Sequence, residues 1–155
     1  MPATRVEPCS LTIEELASEG GELFQMHFDE IRAGKGFDHE VDPDWKQYQL
    51  LEDVELLQVH GLRADEKLVG YIVVLLVPRH LHYRFSYATV DVMFVHPQFR
   101  GAGAARDLVR AARAAARDWG AAEMLWHAAP NSAAQAMMEH TDRYQLSDYN
   151  YVEKL

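Results

Sequence analysis

The residues that could do chemistry gather around one stretch, 88–119. An apolar segment, ATVDVMFV at 88–95, runs into a glycine-rich turn, RGAGA at 100–104, and a long helical pattern leaves that turn. Gly101 and Gly103 have no Cβ, so the backbone there can turn tightly and come close to a ligand. A helix starting at such a turn presents unpaired N–H groups and the positive end of its dipole. Strand, glycine turn and helix in that order suit a phosphate. Arg100 adds a planar cationic fork at the mouth of the turn. Upstream, Asp91 is a lone carboxylate in the apolar segment. Strand alternation puts it on one face with Thr89 and Met93, and an apolar setting favours a carboxylate that accepts a proton near neutrality. The competing reading is a structural aspartate paired with an arginine such as Arg84. His80, His82 and Tyr83 precede this segment and His127 follows it. They suggest an acceptor pocket or a proton path. His80-x-His82 has a spacing that an extended metal site can use, but no third ligand accompanies it, so no metal is expected.

These residues need elements to position them. Residues 4–7 read as a short first strand. A helix follows from Ser10, capped by Ser10 or Thr12 and interrupted at Gly20-Gly21. It resumes on the stripe Leu23, Met26, His27 and Ile31 and stops at 34–36, GKG. Asp42-Pro43 marks another helix start, with Asp as cap and Pro at the first position. Trp45, Tyr48 and Leu51 line one side of that helix. Strands are expected at 56–63, 68–77 and 85–95, the second a continuous apolar run typical of a buried central strand. Leu108, Val109, Ala112, Ala116 and Trp119 form the buried stripe of the long helix, which Gly120 ends. A strand at 123–128 comes next, joined through the long helix by a right-handed crossover. A short helix at 133–140 and a closing strand or hairpin at 144–155 complete the order.

Arg100-x-x-Gly103-x-Ala105 resembles the acyl-CoA pyrophosphate loop of the GNAT superfamily of N-acetyltransferases, and Met93-Phe94-Val95-His96-Pro97 resembles that family's strand-four signature. The resemblance spans about the last two-thirds of the chain. It implies an α/β fold with a central mixed sheet, splayed between strands four and five and flanked by helices. It also implies acetyl-CoA as cofactor and acyl transfer to an amine in a ternary complex. On this pattern the backbone of Met93, Phe94 and Val95 pairs with the pantetheine arm. Arg100, Gly101, Ala102, Gly103, Ala104 and Ala105 hold the pyrophosphate, and Asn131 contacts the pantetheine side unless it merely caps a helix. The glutamate of many relatives falls here on Thr89, which cannot serve as a base, so Asp91 is the candidate base. The family's general-acid tyrosine falls on Met138. Tyr144 or an ordered water would then have to take its place. That departure keeps open a second reading, a GNAT-shaped module that binds acyl-CoA or a partner without chemistry. HLHYR, the DVMF strand, Trp126-His127 and the final EKL also resemble, more weakly, small acetyltransferase-like proteins of tailed phages.

Composition bounds the rest. The chain has 155 residues, 48% of them hydrophobic, enough for the core of one domain. No apolar run is long enough for a membrane span, and MPATRVEPCS has no apolar signal core. A single cysteine, Cys9, gives no internal disulfide and no zinc cluster. The expectation is a cytoplasmic protein. The formal charge of −9 argues against bulk nucleic acid and leans toward a cationic acceptor, a small amine or a basic peptide. GAGA lacks the Lys-Ser/Thr of a P-loop, which discourages a nucleotide-binding domain of another type. The acceptor's identity is not readable from the sequence, and a homodimer is compatible with the family resemblance.

Overall fold

The computed structural model describes residues 5–33, 40–101, 103–148, 150 and 153. Its elements run β1 (Val6–Leu11), α1 (Ile13–Glu19), α2 (Gly21–Arg32), α3 (Trp45–Asp53), β2 (Leu57–Ala64), β3 (Lys67–Val77), β4 (Tyr87–Val95), a 3-10 turn (Pro97–Phe99), α4 (Ala104–Trp119), β5 (Glu123–Leu125) and α5 (Ala133–Glu139). The five strands form one mixed sheet in the order β1-β2-β3-β4-β5. The first four pair antiparallel and β5 joins β4 in parallel.

The sheet is covered on both faces. Leu108, Ala112 and Ala116 of α4 pack on Ile72, Val74, Ala88 and Val90. On the other face Ile13, Leu16 and Leu23, from α1 and α2, pack on Val59, Tyr71, Val73 and Phe94. β3 lies between these two cores and is buried along most of its length, as its unbroken apolar run predicts.

Several boundaries differ from the sequence reading. Ser10 does not start a helix: β1 continues to Leu11, which pairs with Val59. Pro8 is tolerated because β1 is an edge strand. The helix start belongs to Thr12, whose side chain and Glu15 form a reciprocal capping box. Likewise Asp44, not Asp42, caps α3, accepting the Gln47 N–H at 3.0 Å. The expected stop at 34–36 lies outside the described residues. β5 ends at Leu125 rather than 128. Of the expected closing strand, the described residues 144–148, 150 and 153 form none.

β4 carries an irregularity that alternation cannot show. Val92 pairs with Val73 and Val90 pairs with Val74, so Asp91 is an extra residue, a β-bulge. Val90, Met93 and Val95 therefore pack on the α4 side, while Val92 and Phe94 pack on the side of α1–α3.

Candidate active site

The parallel pairing of β4 with β5 covers Tyr87↔Glu123, Ala88↔Met124 and Thr89↔Leu125 and then stops. β4 runs on to Val95, so its 90–95 edge has no strand partner among the described residues. This is the splay expected between strands four and five. The chain leaves that edge through the 3-10 turn and enters the glycine turn. Gly101 and Gly103 sit at φ 95° and 90°, the left-handed region where glycine carries no Cβ strain. A Cβ on Gly101 would meet nothing within 4 Å, so that side of the turn is open. Gly103 is the N-cap of α4, and no described side chain caps the helix. An uncapped helix N-terminus at the end of an open strand edge is a geometry that suits an anion.

The predicted loop residues do different things. The Ala104 N–H is already used, donating to the Gly101 carbonyl at 3.1 Å, and its methyl is buried in the α4-side core. Ala105 is half-buried against the same core. Ala102 lies outside the described residues. Arg100 is turned back into the protein. Its Nε–H donates to the Val95 carbonyl at 2.8 Å, its terminal NH2 pairs with Glu30 of α2 at 2.5 Å, and its guanidinium lies 5.2 Å from the centre of the Phe94 ring. Of the three strand residues expected along the open edge, Phe94 and Val95 are buried and Met93 is half-buried.

Asp91 is solvent-exposed at the bulge. The expectation that it shares a face with Met93 fails, because the extra residue shifts the alternation: Met93 packs on the α4 side, whereas Asp91 meets α3. There the Tyr48 hydroxyl donates a short hydrogen bond to its Oδ2. No arginine pairs with Asp91 among the described residues. Burial, with the Asp91 carboxylate in second place, pushes the Tyr48 phenol well above the usual range, so it stays protonated as a donor. Behind it, Tyr71 of β3 is fully buried and likewise shifted upward, first by burial. Its hydroxyl is joined by a 2.8 Å hydrogen bond to Nδ1 of His27 on α2, and that ring stacks on Phe94 with centroids 4.9 Å apart. Burial holds the His27 imidazole below its ordinary value. Tyr48, Tyr71 and His27 were missed as functional candidates, since all three sat in stripes read as apolar faces. The available signal was a polar tip on each within an otherwise apolar pattern.

His127 lies just past β5, and a 3.2 Å hydrogen bond joins its Nε2 to Thr89 Oγ1. The structure thus brings His127 to the point where β5 leaves β4. It does not bring His80, His82 and Tyr83 there. They occupy the turn between β3 and β4, beyond Tyr87, at the end of β4 opposite the glycine turn. Tyr87 is about 14 Å along the strand from Asp91 at a strand rise of about 3.4 Å per residue. His80 packs among Tyr83, Phe85 and Tyr87, with ring centroids 4.8, 5.5 and 5.5 Å away. Asn131 does not cap α5. Ser132 does, accepting the Gln135 N–H, while Asn131 stands at φ 60° with its N–H donating to Gln135 Oε1. Tyr144 accepts from Arg113 of α4 at 3.0 Å and meets the Trp126 ring edge-on. Among the described residues no three His, Cys, Asp or Glu side chains could share a metal ion. No described helix is long and apolar enough to cross a membrane.

A mixed sheet that opens between its fourth and fifth strands onto an uncapped helix N-terminus is the layout of an acyl-CoA-dependent acetyltransferase. Residues 22–141 match the acetyltransferase (GNAT) family, and the chain belongs to it. No curated protein sequence matches the chain. Among solved structures it resembles a ribosomal-protein-alanine N-acetyltransferase from Brucella melitensis biovar Abortus, with 20% identity, a TM-score of 0.77 and coverage of 97% of this chain and 98% of that one. It also resembles an aminoglycoside acetyltransferase from an uncultured soil metagenomic sample, solved with sisomicin, at 17% identity, TM-score 0.69 and coverage of 96% and 97%. A third is an aminoglycoside N-acetyltransferase in complex with CoA, at 17% identity, TM-score 0.67 and coverage of 99% and 98%. At such identities the likeness is one of fold.

Proposed function

We propose that this chain is an N-acetyltransferase that uses acetyl-CoA and acts on a primary amine by direct attack in a ternary complex, with the whole chain as one catalytic domain working in the cytoplasm. The observation that carries the reading is the continuity of three features: the open 90–95 edge of β4, the glycine turn and the uncapped start of α4. The edge offers backbone groups to an extended amide-bearing arm, and the helix start offers N–H groups to a pyrophosphate. Bound there, acetyl-CoA would supply an activated thioester carbonyl.

The chain's own residues have separable tasks. Asp91 accepts the ammonium proton of the acceptor, which leaves a lone pair on nitrogen. Backbone N–H groups of the open edge are available to a developing oxyanion. His127, held by Thr89, is placed to carry the proton onward to solvent. Tyr144 accepts from Arg113, so its own proton is free to be donated, and it remains the candidate general acid. Asn131 lies exposed in the turn before α5 and is the candidate contact on the pantetheine side. His80, His82 and Tyr83 would meet only the distal part of a long acceptor.

Calorimetric titration with acetyl-CoA, followed by turnover with a panel of amines, tests the reading. Asp91→Asn should leave acetyl-CoA binding intact and lower turnover by about 10²–10⁴-fold, the range for loss of a general base. Absence of acetyl-CoA binding by the wild type would refute the proposal. The second reading is a binding module without chemistry, favoured by Met138 at the tyrosine position. It would be established by tight acetyl-CoA binding with no acetylation of any amine.

A further inference from the structure

We propose that Tyr48 is the positioning residue of Asp91, delivered by α3 to fix one carboxylate oxygen and leave the other for the acceptor nitrogen. The inference rests on Asp91 being the base of the proposed reaction. Its geometry comes from three elements. Asp91 is the extra residue of the β4 bulge and faces α3. α3 is itself anchored, because its Glu52 accepts the Ile13 N–H of α1 at 2.9 Å. Tyr48 stands on the first turn of α3, one turn after its cap, next to the Trp45 ring with centroids 5.9 Å apart. That packing leaves its hydroxyl directed at Asp91 Oδ2. The second carboxylate oxygen has no partner among the described residues.

The groups around Asp91 define what the contact does. Tyr48 faces it from α3 and Tyr71 lies behind from β3, itself tied to His27 of α2. Thr89, two residues back on β4, holds His127. None of these is a cation held against the carboxylate, so the Tyr48 O–H is its one direct donor among the described side chains. A donor to a carboxylate oxygen removes rotational freedom about its side-chain torsions. Tyr48 therefore aims Asp91.

Tyr48→Phe, which keeps the ring and its packing on Trp45, tests this. kcat should fall about tenfold, while the KM for acetyl-CoA and its calorimetric affinity stay within about twofold of wild type. Tyr48→Phe added to Asp91→Asn should cost no further activity. An unchanged kcat would overturn the proposal, and so would a further loss of activity when Tyr48→Phe is added to Asp91→Asn. Loss of acetyl-CoA binding by the wild type would instead sink the acetyltransferase reading. A Tyr48→Phe variant with a lowered melting temperature but an unchanged kcat would overturn it by assigning Tyr48 a purely structural role.

Discussion

Arg100→Ala separates two roles for the residue that opens the glycine turn. As a phosphate ligand, Arg100 would contribute to acetyl-CoA affinity and little to folding. The geometry gives it a different task, clamping the end of β4 to α2. The ion pair with Glu30 joins side chains that are 43% and 53% exposed, so solvent screens it and it contributes at most about 1 kcal/mol. The Nε–H bond to the Val95 carbonyl is half-buried and charge-assisted, worth about 1–1.5 kcal/mol net. The guanidinium beside Phe94 adds about 0.5–1 kcal/mol. These contacts share one group and need not add, but Arg100→Ala should cost about 2–3 kcal/mol, or roughly 5–10 °C in melting temperature for a chain of this size. Glu30→Gln, which removes only the ion pair, should cost roughly 1–3 °C. Arg100→Lys keeps the charge but loses the Nε–H and the planar fork, so it should melt nearly as low as the alanine variant. Thermal unfolding by circular dichroism, beside calorimetric titration with acetyl-CoA, reads both axes. The clamp is refuted if Arg100→Ala melts with the wild type but fails to bind acetyl-CoA, and Arg100→Lys restores binding. Charge at the phosphates would then be the residue's role.

Two further outcomes follow from the core and from the buried imidazoles. Leu108→Ala empties a fully buried position between α4 and the sheet and should lower unfolding free energy by about 2–5 kcal/mol; a urea midpoint within error of wild type would show that α4 is not packed as described. Burial holds His27 and His60 below the ordinary imidazole value of 6.5, so between their folded values and 6.5 the unfolded chain binds more protons. Stability should therefore be unaffected by these groups above pH 6.5 and fall as pH drops below it. His60, whose Nε2 has no hydrogen-bond partner among the described residues, should show this most simply: His60→Phe should flatten the fall in urea midpoint, and an unchanged slope would count against it.

Some of this was legible in the sequence, and the reasons for the rest are physical. The glycine turn was readable because Gly101 and Gly103 occupy left-handed backbone that few other residues accept. β3 was readable because burial on both faces leaves an unbroken apolar run. By type Ser10 is the better cap than Thr12, and only the pairing of Ser10 with His60 in the sheet decides against it. Asn131 and Ser132 pose the same ambiguity, settled by which oxygen the Gln135 N–H reaches. Proximity in sequence suggested that His80, His82 and Tyr83 share the site with Asp91. A loop precedes its strand, however, and here it lies at the strand end away from the glycine turn. Tyr48 looked apolar because helical periodicity reports where a ring packs and not where its hydroxyl points.

The bulge deserves its place in the mechanism because of where it falls. β5 leaves β4 after Thr89 on one side, and the register with β3 slips at Asp91 on the other. Within three residues β4 thus loses a neighbour and gains an extra residue. In a regular strand Asp91 would be followed by a residue on the α4 side, and the 93–95 backbone would meet the open edge in the opposite phase. With the bulge, Asp91 and Val92 both turn toward α1–α3, while Met93 and Val95 return to the α4 side. Asp91 thus faces Tyr48, one residue beyond the start of the open edge, and the slip changes the phase of the edge that follows it. A strand that needed only to complete the sheet would have no use for an extra residue at that point, whereas the proposed reaction asks β4 for a base on one face and an unpaired backbone along its edge.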